Sequence, residues 1–205
     1  MAQIEQPSLS LNKFQRNRKL GEGFQGSAYL ATNNDTKQIV VLKEIECSVE
    51  DKKMRVEQEI ENHKKISFKY IVQYYDSFKD GENKFYIVAE YCDKGTLSDL
   101  INQHIHRRTH VSEDEAWSIL VQLILGVNYM HSLKICHRDL KPDNIFLTGN
   151  NLEVRIGDLG FSKMLDPQRS YLQSMLGTPI IEDKSISYFW RCLGNWSYNV
   201  SPAHS

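Results

Sequence analysis

The apolar pattern changes period near Gly95, and that change leaves the chain few folds to choose from. From Phe14 to about Val88 the sequence is strand-like, in short segments rich in β-formers: Asn17–Leu20, Ser27–Thr32, Gln38–Ile45, Val72–Phe78 and Lys84–Ala89. Turn signals such as Asn33-Asn34-Asp35 and Lys79-Asp80-Gly81 separate them. One charged, helical stretch interrupts this half, from about Glu50 to Ile66, with Met54, Ile60 and His63 facing roughly one way. After Gly95 the reading turns helical. Thr96 with Asp99 forms a capping box that predicts a helix through Ile105. Ser112 with Glu115 predicts another through His131, carrying Ile119, Leu120, Leu123, Val127 and Met130. A polar loop (137–144) follows, then a hairpin of Ile145–Leu147 and Glu153–Ile156 turning at Gly149-Asn150-Asn151, and a loop from Asp158. A β-rich lobe followed by a helical lobe is an α+β arrangement with a natural cleft between the two.

Composition removes several classes of function. The 205 residues carry 25 Lys+Arg against 26 Asp+Glu, so no whole-chain charge argues for a nucleic-acid or membrane-surface partner. Apolar residues make up 40% of the chain, enough for a core. Cys47, Cys92, Cys136 and Cys192 form no C-x-x-C pair, which argues against a zinc ribbon or disulfide scaffold and suits a reducing compartment. The most apolar run, Ile119 to Met130, is interrupted by Gln122, Gly126 and Asn128 and is too short to span a bilayer. Met1–Gln6 lacks the pattern of a signal peptide, and Ala2 is incompatible with N-myristoylation. The expectation is a soluble protein of the cytoplasm or nucleus.

Gly21-Glu22-Gly23-Phe24-Gln25-Gly26 is a G-x-G-x-x-G between strand-like segments, and its glycines would let backbone N–H groups approach phosphates. Alone it is equally a glycine turn, and a dinucleotide fold would need a helix where Ser27–Thr32 reads as strand. Lys43 ends the apolar strand Val40-Val41-Leu42; by itself it could be a snorkelling surface lysine. Glu59, in the charged helix, could belong to a solvated face. The informative stretch is Ile135-Cys136-His137-Arg138-Asp139-Leu140-Lys141-Pro142-Asp143-Asn144-Ile145-Phe146-Leu147. So dense a polar segment between apolar flanks must keep its charges in a cleft or in water. Asp139 could accept a hydroxyl proton, Lys141 could neutralise a transferring phosphoryl group, and Asn144 could ligate a cation. Asp158-Leu159-Gly160 adds a second hard oxygen ligand, and two such ligands with positions left for phosphate and water suit Mg²⁺.

In order, the chain holds a Gly-rich loop, a strand Lys, a helix Glu, H-R-D-L-K-P-D-N, D-L-G and Gly177-Thr178-Pro179. Over roughly Phe14 to Pro179 this resembles a eukaryotic serine/threonine protein kinase. Asn144-Ile145-Phe146-Leu147, the D-L-G form and Leu176-Gly177-Thr178-Pro179 are similar to the NIMA-related kinases. The resemblance implies a bilobal kinase fold over 14–179, with an N-lobe of about 14–91 and an incomplete helical C-lobe over 92–179. It implies ATP and Mg²⁺ as cofactors and a protein Ser or Thr as phosphoryl acceptor. Gly21, Gly23 and Gly26, flanked by Leu20 and Glu22, would cover the phosphates. Lys43 would hold the α- and β-phosphates while pairing with Glu59, Asp139 would accept the substrate hydroxyl proton assisted by Lys141, and Asn144 and Asp158 would hold magnesium. Glu90-Tyr91-Cys92 resembles the hinge that meets adenine, with Ala89 in the gatekeeper position and, being small, leaving an open back pocket.

Departures from the family pattern carry their own expectations. Ala28 and Val41 exchange the usual Val and Ala over the adenine ring, a swap that roughly conserves volume. His63 stands where the family has an apolar residue stacked behind Leu159 and His137; it is read either as a pH-sensitive element or as a satisfied histidine at the helix edge. Arg138 suggests control by phosphate on the loop to Thr178, with Ser174 first and Ser170 and Ser162 behind it, placed there by an upstream kinase. His104, His106 and His110 share a segment with Arg107 and Arg108 and read as an exposed connection, not a metal site.

After Pro179 the family's A-P-E-like triplet and further helices are missing, so the expectation is a truncated domain in which Leu123, Val127 and Leu140 lack much of their packing. The 180–205 tail reads as a frameshifted or mis-spliced relic. Codons for Trp190-Arg191-Cys192-Leu193-Gly194-Asn195-Trp196-Ser197, shifted by one base, can spell Gly-Asp-Val-Trp-x-(Ile/Thr)-Gly, similar to the family's D-V-W-x-x-G motif. The rival readings to an active kinase are a nucleotide-binding scaffold without catalysis and a non-functional truncated product.

Overall fold

A computed structural model describes residues 10–23 and 26–159, together with the short strand Lys163–Met164. Phe24 and Gln25, Ser162, Ser170 and Ser174, the Gly177-Thr178-Pro179 stretch, Cys192 and the 180–205 tail lie outside the described residues.

The first half is a five-stranded antiparallel sheet: β1 (Phe14–Gly23), β2 (Gly26–Asn33), β3 (Ile39–Glu46), β4 (Tyr74–Asp80) and β5 (Lys84–Glu90), in the order β1-β2-β3-β5-β4. Alternation sorts its side chains into two clusters. Phe14, Ala31, Val40, Leu42, Tyr86 and Val88 pack on one face. Ile45, Cys47, Phe85 and Ile87 pack on the other, against Val56 and Ile60 of helix α1 (Glu50–Lys64). The sheet curls strongly enough for the edges to meet, since Phe14 of β1 stacks on Phe78 of β4 with ring centroids 5.9 Å apart. The expected strand at 17–20 extends to Phe14–Gly23, because pairing with β2 runs from Phe14↔Asn33 to Gly23↔Gly26 and draws the flanking residues into the ladder.

Helix α1 lacks a side-chain N-cap and is carried by docking. Its buried face is Val56, Glu59, Ile60, Asn62 and His63; Met54, expected on that face, is exposed. The 3.6-residue period allows either phase on so charged a helix, and contact with Phe85 and Ile87 decides it.

The second half contains α2 (Leu97–Arg107), α3 (Glu113–Ser132), β6 (Ile135–Cys136), β7 (Ile145–Thr148), β8 (Glu153–Ile156) and β9 (Lys163–Met164). Both capping boxes form as expected: Thr96 Oγ1 accepts from Asp99 N at 3.1 Å, and Ser112 Oγ from Glu115 N at 3.3 Å. The loop before β7 is not wholly irregular, because Pro142–Asn144 makes a 3-10 turn, and Ile135–Cys136 pairs with Lys163–Met164 as a two-residue ladder. Ile66 and Ile71, which precede β4 in sequence, join the helical lobe's core with Leu97, Ile119 and Leu123. Residues 70–72 spend their backbone groups on β8, with Ile156 N–H donating to Tyr70 O (2.9 Å) and Val72 N–H donating to Ile156 O (2.8 Å). That is why β4 begins at Tyr74 rather than Val72. Gly126 lets α3 approach this junction, since a Cβ there would lie 2.7 Å from Ile156 Cδ1.

Leu123 and Leu140, expected to lack packing, are buried in the helical core, and Val127 packs against it; β6, β7 and β8 supply those contacts locally. The large apolar side chains exposed on α3 are Trp117, Val121, Ile124 and Leu125. Among the described residues no helix is long and apolar enough to cross a membrane. His104, in the segment with His106 and His110, shares a hydrogen bond between its Nδ1 and Thr109 Oγ1 at 2.9 Å.

His63, in the last turn of α1, is a satisfied histidine, buried at 6% exposed, with its ring 5.4 Å from that of Tyr74. Its Nε2–H donates to Val72 O at 2.9 Å. Burial pushes its pKa below the ordinary histidine value, the Val72 carbonyl opposes that, and the Lys43 charge adds to it.

Two predictions follow from this packing. Ile119→Ala, at a site 1% exposed, should cost about 2–5 kcal/mol in urea denaturation, while Ile124→Ala, at a site 55% exposed, should change stability by less than about 0.5 kcal/mol. The second concerns pH. With the folded pKa of His63 depressed, the unfolded chain binds the proton more readily once pH falls below its ordinary value of about 6.5. Stability should therefore fall as the pH drops below about 6.5, with a slope of up to about 1.4 kcal/mol per pH unit from this group. His63→Leu should remove that contribution and leave that of His131, also depressed by burial; an unchanged slope refutes the assignment.

Candidate functional site

Strand β3 alternates Val40 and Leu42 into the sheet core with Val41 and Lys43 into the cleft between the lobes. The Lys43 ammonium lies 2.8 Å from Glu59 Oε1 on α1 and 3.1 Å from Asp158 Oδ1 beyond β8. Burial alone would lower the Lys43 pKa; the charges of Glu59 and then Asp158 outweigh it and hold the group above its ordinary value. Three elements remote in sequence thus converge on one cation.

The loop between β6 and β7 forms a second cluster below it. Lys141 Nζ donates to Asp139 Oδ2 at 2.8 Å, and this hydrogen bond raises the lysine's pKa. Asn144 Nδ2 donates to Asp139 O at 2.7 Å and to Asp139 Oδ2 at 3.0 Å, which leaves its Oδ1 as the acceptor. His137 Nε2–H donates to Gly157 O at 2.9 Å while its Nδ1 accepts from Asp139 N at 3.3 Å; a neutral ring protonated on Nε2 satisfies both. Gly157 N–H in turn donates to Asn144 O at 2.9 Å. The backbone is strained on both sides of this network: Arg138 has φ 69° and Asp158 φ 57°, a region that non-glycine residues enter at a cost of about 1–3 kcal/mol each.

The glycines separate into two kinds. A Cβ on Gly26, whose φ is 143°, would lie 2.0 Å from Glu44 O, so this glycine is required by the approach of β2 to β3. A Cβ on Gly21 or Gly23 would meet nothing within 4 Å, so these two border open space over the cleft.

A cleft of about 780 Å³ gathers the candidate catalytic, nucleotide-binding and metal-binding residues read from the sequence: Leu20, Gly21, Glu22, Gly23, Gly26, Ala28, Val41, Lys43, Glu59, Ala89, Glu90, Cys92, Asp139, Lys141, Asn144 and Asp158. Ile87, Val72, His63 and Leu159 also line it. Burial pushes the Cys92 thiol up to about 12, so it stays protonated and a poor nucleophile. Asn144 Oδ1 and the Asp158 carboxylate, hard oxygens on one wall, fit a magnesium ion, and the open space beside Gly21 and Gly23 fits phosphate.

Sequence reasoning missed several cleft residues. Phe146 was legible in principle, because Ile145 and Leu147 are buried and alternation turns Phe146 to the opposite side. Arg18, Thr96 and Asp99 also border the cleft, although the Asp99 carboxylate accepts from Thr96 N and Oγ1 at 2.8 Å each. Outside the cleft lining, Arg155, whose Nε donates to Glu90 at 3.0 Å, has no sequence signal at all.

Comparison with known proteins gives this geometry its lineage. The protein kinase domain family matches residues 14–180. The serine/threonine-protein kinase Nek5 of Homo sapiens is 33% identical over 172 residues, covering 82% of this chain and 24% of the relative. Nek11 of Homo sapiens is 33% identical over 177 residues, covering 84% of this chain and 27% of the relative. Serine/threonine-protein kinase 4 homolog A of Dictyostelium discoideum is 34% identical over 189 residues, covering 89% and 39%. The chain therefore spans about a quarter to two fifths of the length of these relatives. The expected similarity to NIMA-related kinases is present among the relatives, and the match across most of its length makes the chain a member of the protein kinase domain family.

Proposed function

We propose that the cleft binds Mg-ATP and transfers its γ-phosphoryl group to a serine or threonine of a protein substrate. The observation that carries this reading is the Lys43 ammonium held between Glu59 and Asp158 in the same cleft as Asp139, Lys141 and Asn144. Protein kinases generally use ATP and Mg²⁺. In this reading Leu20, Ala28 and Val41 cover the adenine, the hinge residues Glu90 and Cys92 edge it beyond Ala89, and Gly21, Glu22, Gly23 and Gly26 roof the phosphates. Lys43 binds the α- and β-phosphates, its direction set by Glu59. The acceptor hydroxyl oxygen attacks the γ-phosphorus, the bond to the ADP oxygen breaks, and the hydroxyl proton passes to the Asp139 carboxylate. Lys141 screens the charge that develops beside Asp139. Magnesium, when bound by Asn144 and Asp158, neutralises charge on the phosphates.

Protein substrates and an upstream kinase acting on Ser174 are the partners this function implies. The cysteines Cys47, Cys92 and Cys136 are unbridged, which supports a reducing compartment, cytoplasm or nucleus.

Purified protein given Mg-ATP and a generic protein substrate tests the reading. Wild type should phosphorylate it, and Asp139→Asn should lower the rate by about 10²–10⁴-fold while keeping the ATP-induced rise in melting temperature. A thermal shift without phosphorylation favours the non-catalytic scaffold, and the absence of both effects refutes nucleotide binding. The small side chain of Ala89 on the cleft wall gives a second test. Wild type should bind an ATP analogue carrying a bulky N6 substituent about tenfold or more tighter than Ala89→Met does, since methionine would overfill that space. Equal affinities refute an open back pocket.

A further inference from the structure

Behind the hinge, away from the cleft floor, a charged pair joins the lobes. Arg155 lies on β8 of the helical lobe, and its Nε donates to Glu90 Oε1 and Oε2 at 3.0 and 3.2 Å. Glu90 is the last residue of β5, and both side chains are largely buried, 13% and 19% exposed. The rest of the guanidinium is committed as well, with Nη1 donating to Val154 O and Nη2 to Glu153 Oε2, each at 3.1 Å. Glu90 is held on its other side by Gln73: Gln73 N–H donates to Glu90 Oε2 at 3.1 Å, and Glu90 N–H donates to Gln73 O at 2.9 Å. The far end of the hinge is pinned separately, by Lys94 N–H to Leu147 O at 3.0 Å and Leu147 N–H to Gly95 O at 2.8 Å.

We propose that Arg155 is a positioning residue that fixes the first hinge residue against the strip 155–158, and so sets the adenine-facing hinge backbone relative to Asp158. The physical reason is directional. Each backbone bond at this junction can tilt as the lobes rotate, whereas a planar guanidinium anchored on Val154 O and Glu153 Oε2 holds the Glu90 carboxylate in one place. Because Asp158 follows the end of β8 by two residues, the same short strip carries the hinge anchor and the carboxylate that meets Lys43. The effect on nucleotide rests on the reading given under Proposed function; the effect on the hinge itself does not.

The test uses Arg155→Met and Arg155→Lys in the full chain, with amide hydrogen exchange of the nucleotide-free protein and affinities for adenosine and for inorganic tripolyphosphate. Arg155→Met should speed exchange at Tyr91 and Cys92 at least about tenfold and leave Leu123 and Met130 of α3 within about twofold. Adenosine affinity should fall about tenfold while tripolyphosphate affinity stays within about twofold, and Arg155→Lys should recover most of both losses. Unchanged hinge exchange in a folded Arg155→Met protein overturns the proposal, as does acceleration spread equally over hinge and α3. Should Arg155→Met fail to fold, Glu90→Gln, which keeps an acceptor for Gln73, is read by the same criteria. If wild type binds neither adenosine nor ATP, the nucleotide reading falls, and the exchange result still decides whether Arg155 positions the hinge.

Discussion

Every other feature of the cleft depends on what is done with one desolvated ammonium. Lys43 enters from the middle of a sheet, and burying it there is unfavourable unless carboxylates meet it. Glu59 and Asp158 do so from two further elements, so the position of α1 and of the segment after β8 are both referred to one nitrogen. This arrangement is weak evidence for stability, since an apolar substitute of the same volume would pack as well. Its value is in register. A lysine that holds two carboxylates ties the helix to the loop across the lobe boundary, and neither can drift without leaving charge uncompensated.

The strained residues belong to the same arrangement. Arg138 and Asp158 occupy left-handed backbone on either side of the His137–Gly157–Asn144–Asp139 network. A glycine at 158 would relieve that strain but would also loosen the chain and lose the carboxylate that meets Lys43. In the folded protein each strained residue is held by neighbours: Leu159 is buried in the helical core next to Asp158, and Asp139 is bonded through its backbone N–H and C=O as well as its carboxylate. The strain is offset by packing one residue away.

What could be read from the sequence was local, and what could not was a matter of pairing at long range. The boxes Thr96–Asp99 and Ser112–Glu115 are legible because cap and partner lie three residues apart and each bond satisfies a helix's own orphan donor. The length of β1 is not, since its outer residues become strand only by pairing with β2. The phase of α1 is decided by Phe85 and Ile87, distant in sequence, which is why Val56 is inside and Met54 is not. Lys43, Glu59, Asp139, Asn144 and Asp158 were singled out through their ordered resemblance to a family; composition and spacing alone leave each with an ordinary alternative. Arg155 belongs to none of the motifs that carry that resemblance, and a pair 65 residues apart has no periodicity to betray it.

The strip from Arg155 to Asp158 shows how so small a β-element can organise both lobes. Side chains alternate along it while the backbone makes its own bonds: Arg155 reaches the hinge, Ile156 bonds residues 70–72, Gly157 bonds His137 and Asn144, and Asp158 meets Lys43. Four consecutive residues make these contacts, so the φ and ψ angles of one short stretch of chain are fixed from several sides at once. The hinge, the loop of Asp139 and the cation of Lys43 are thereby all held by the same short piece of chain, and the lobes inherit their relation to each other from it.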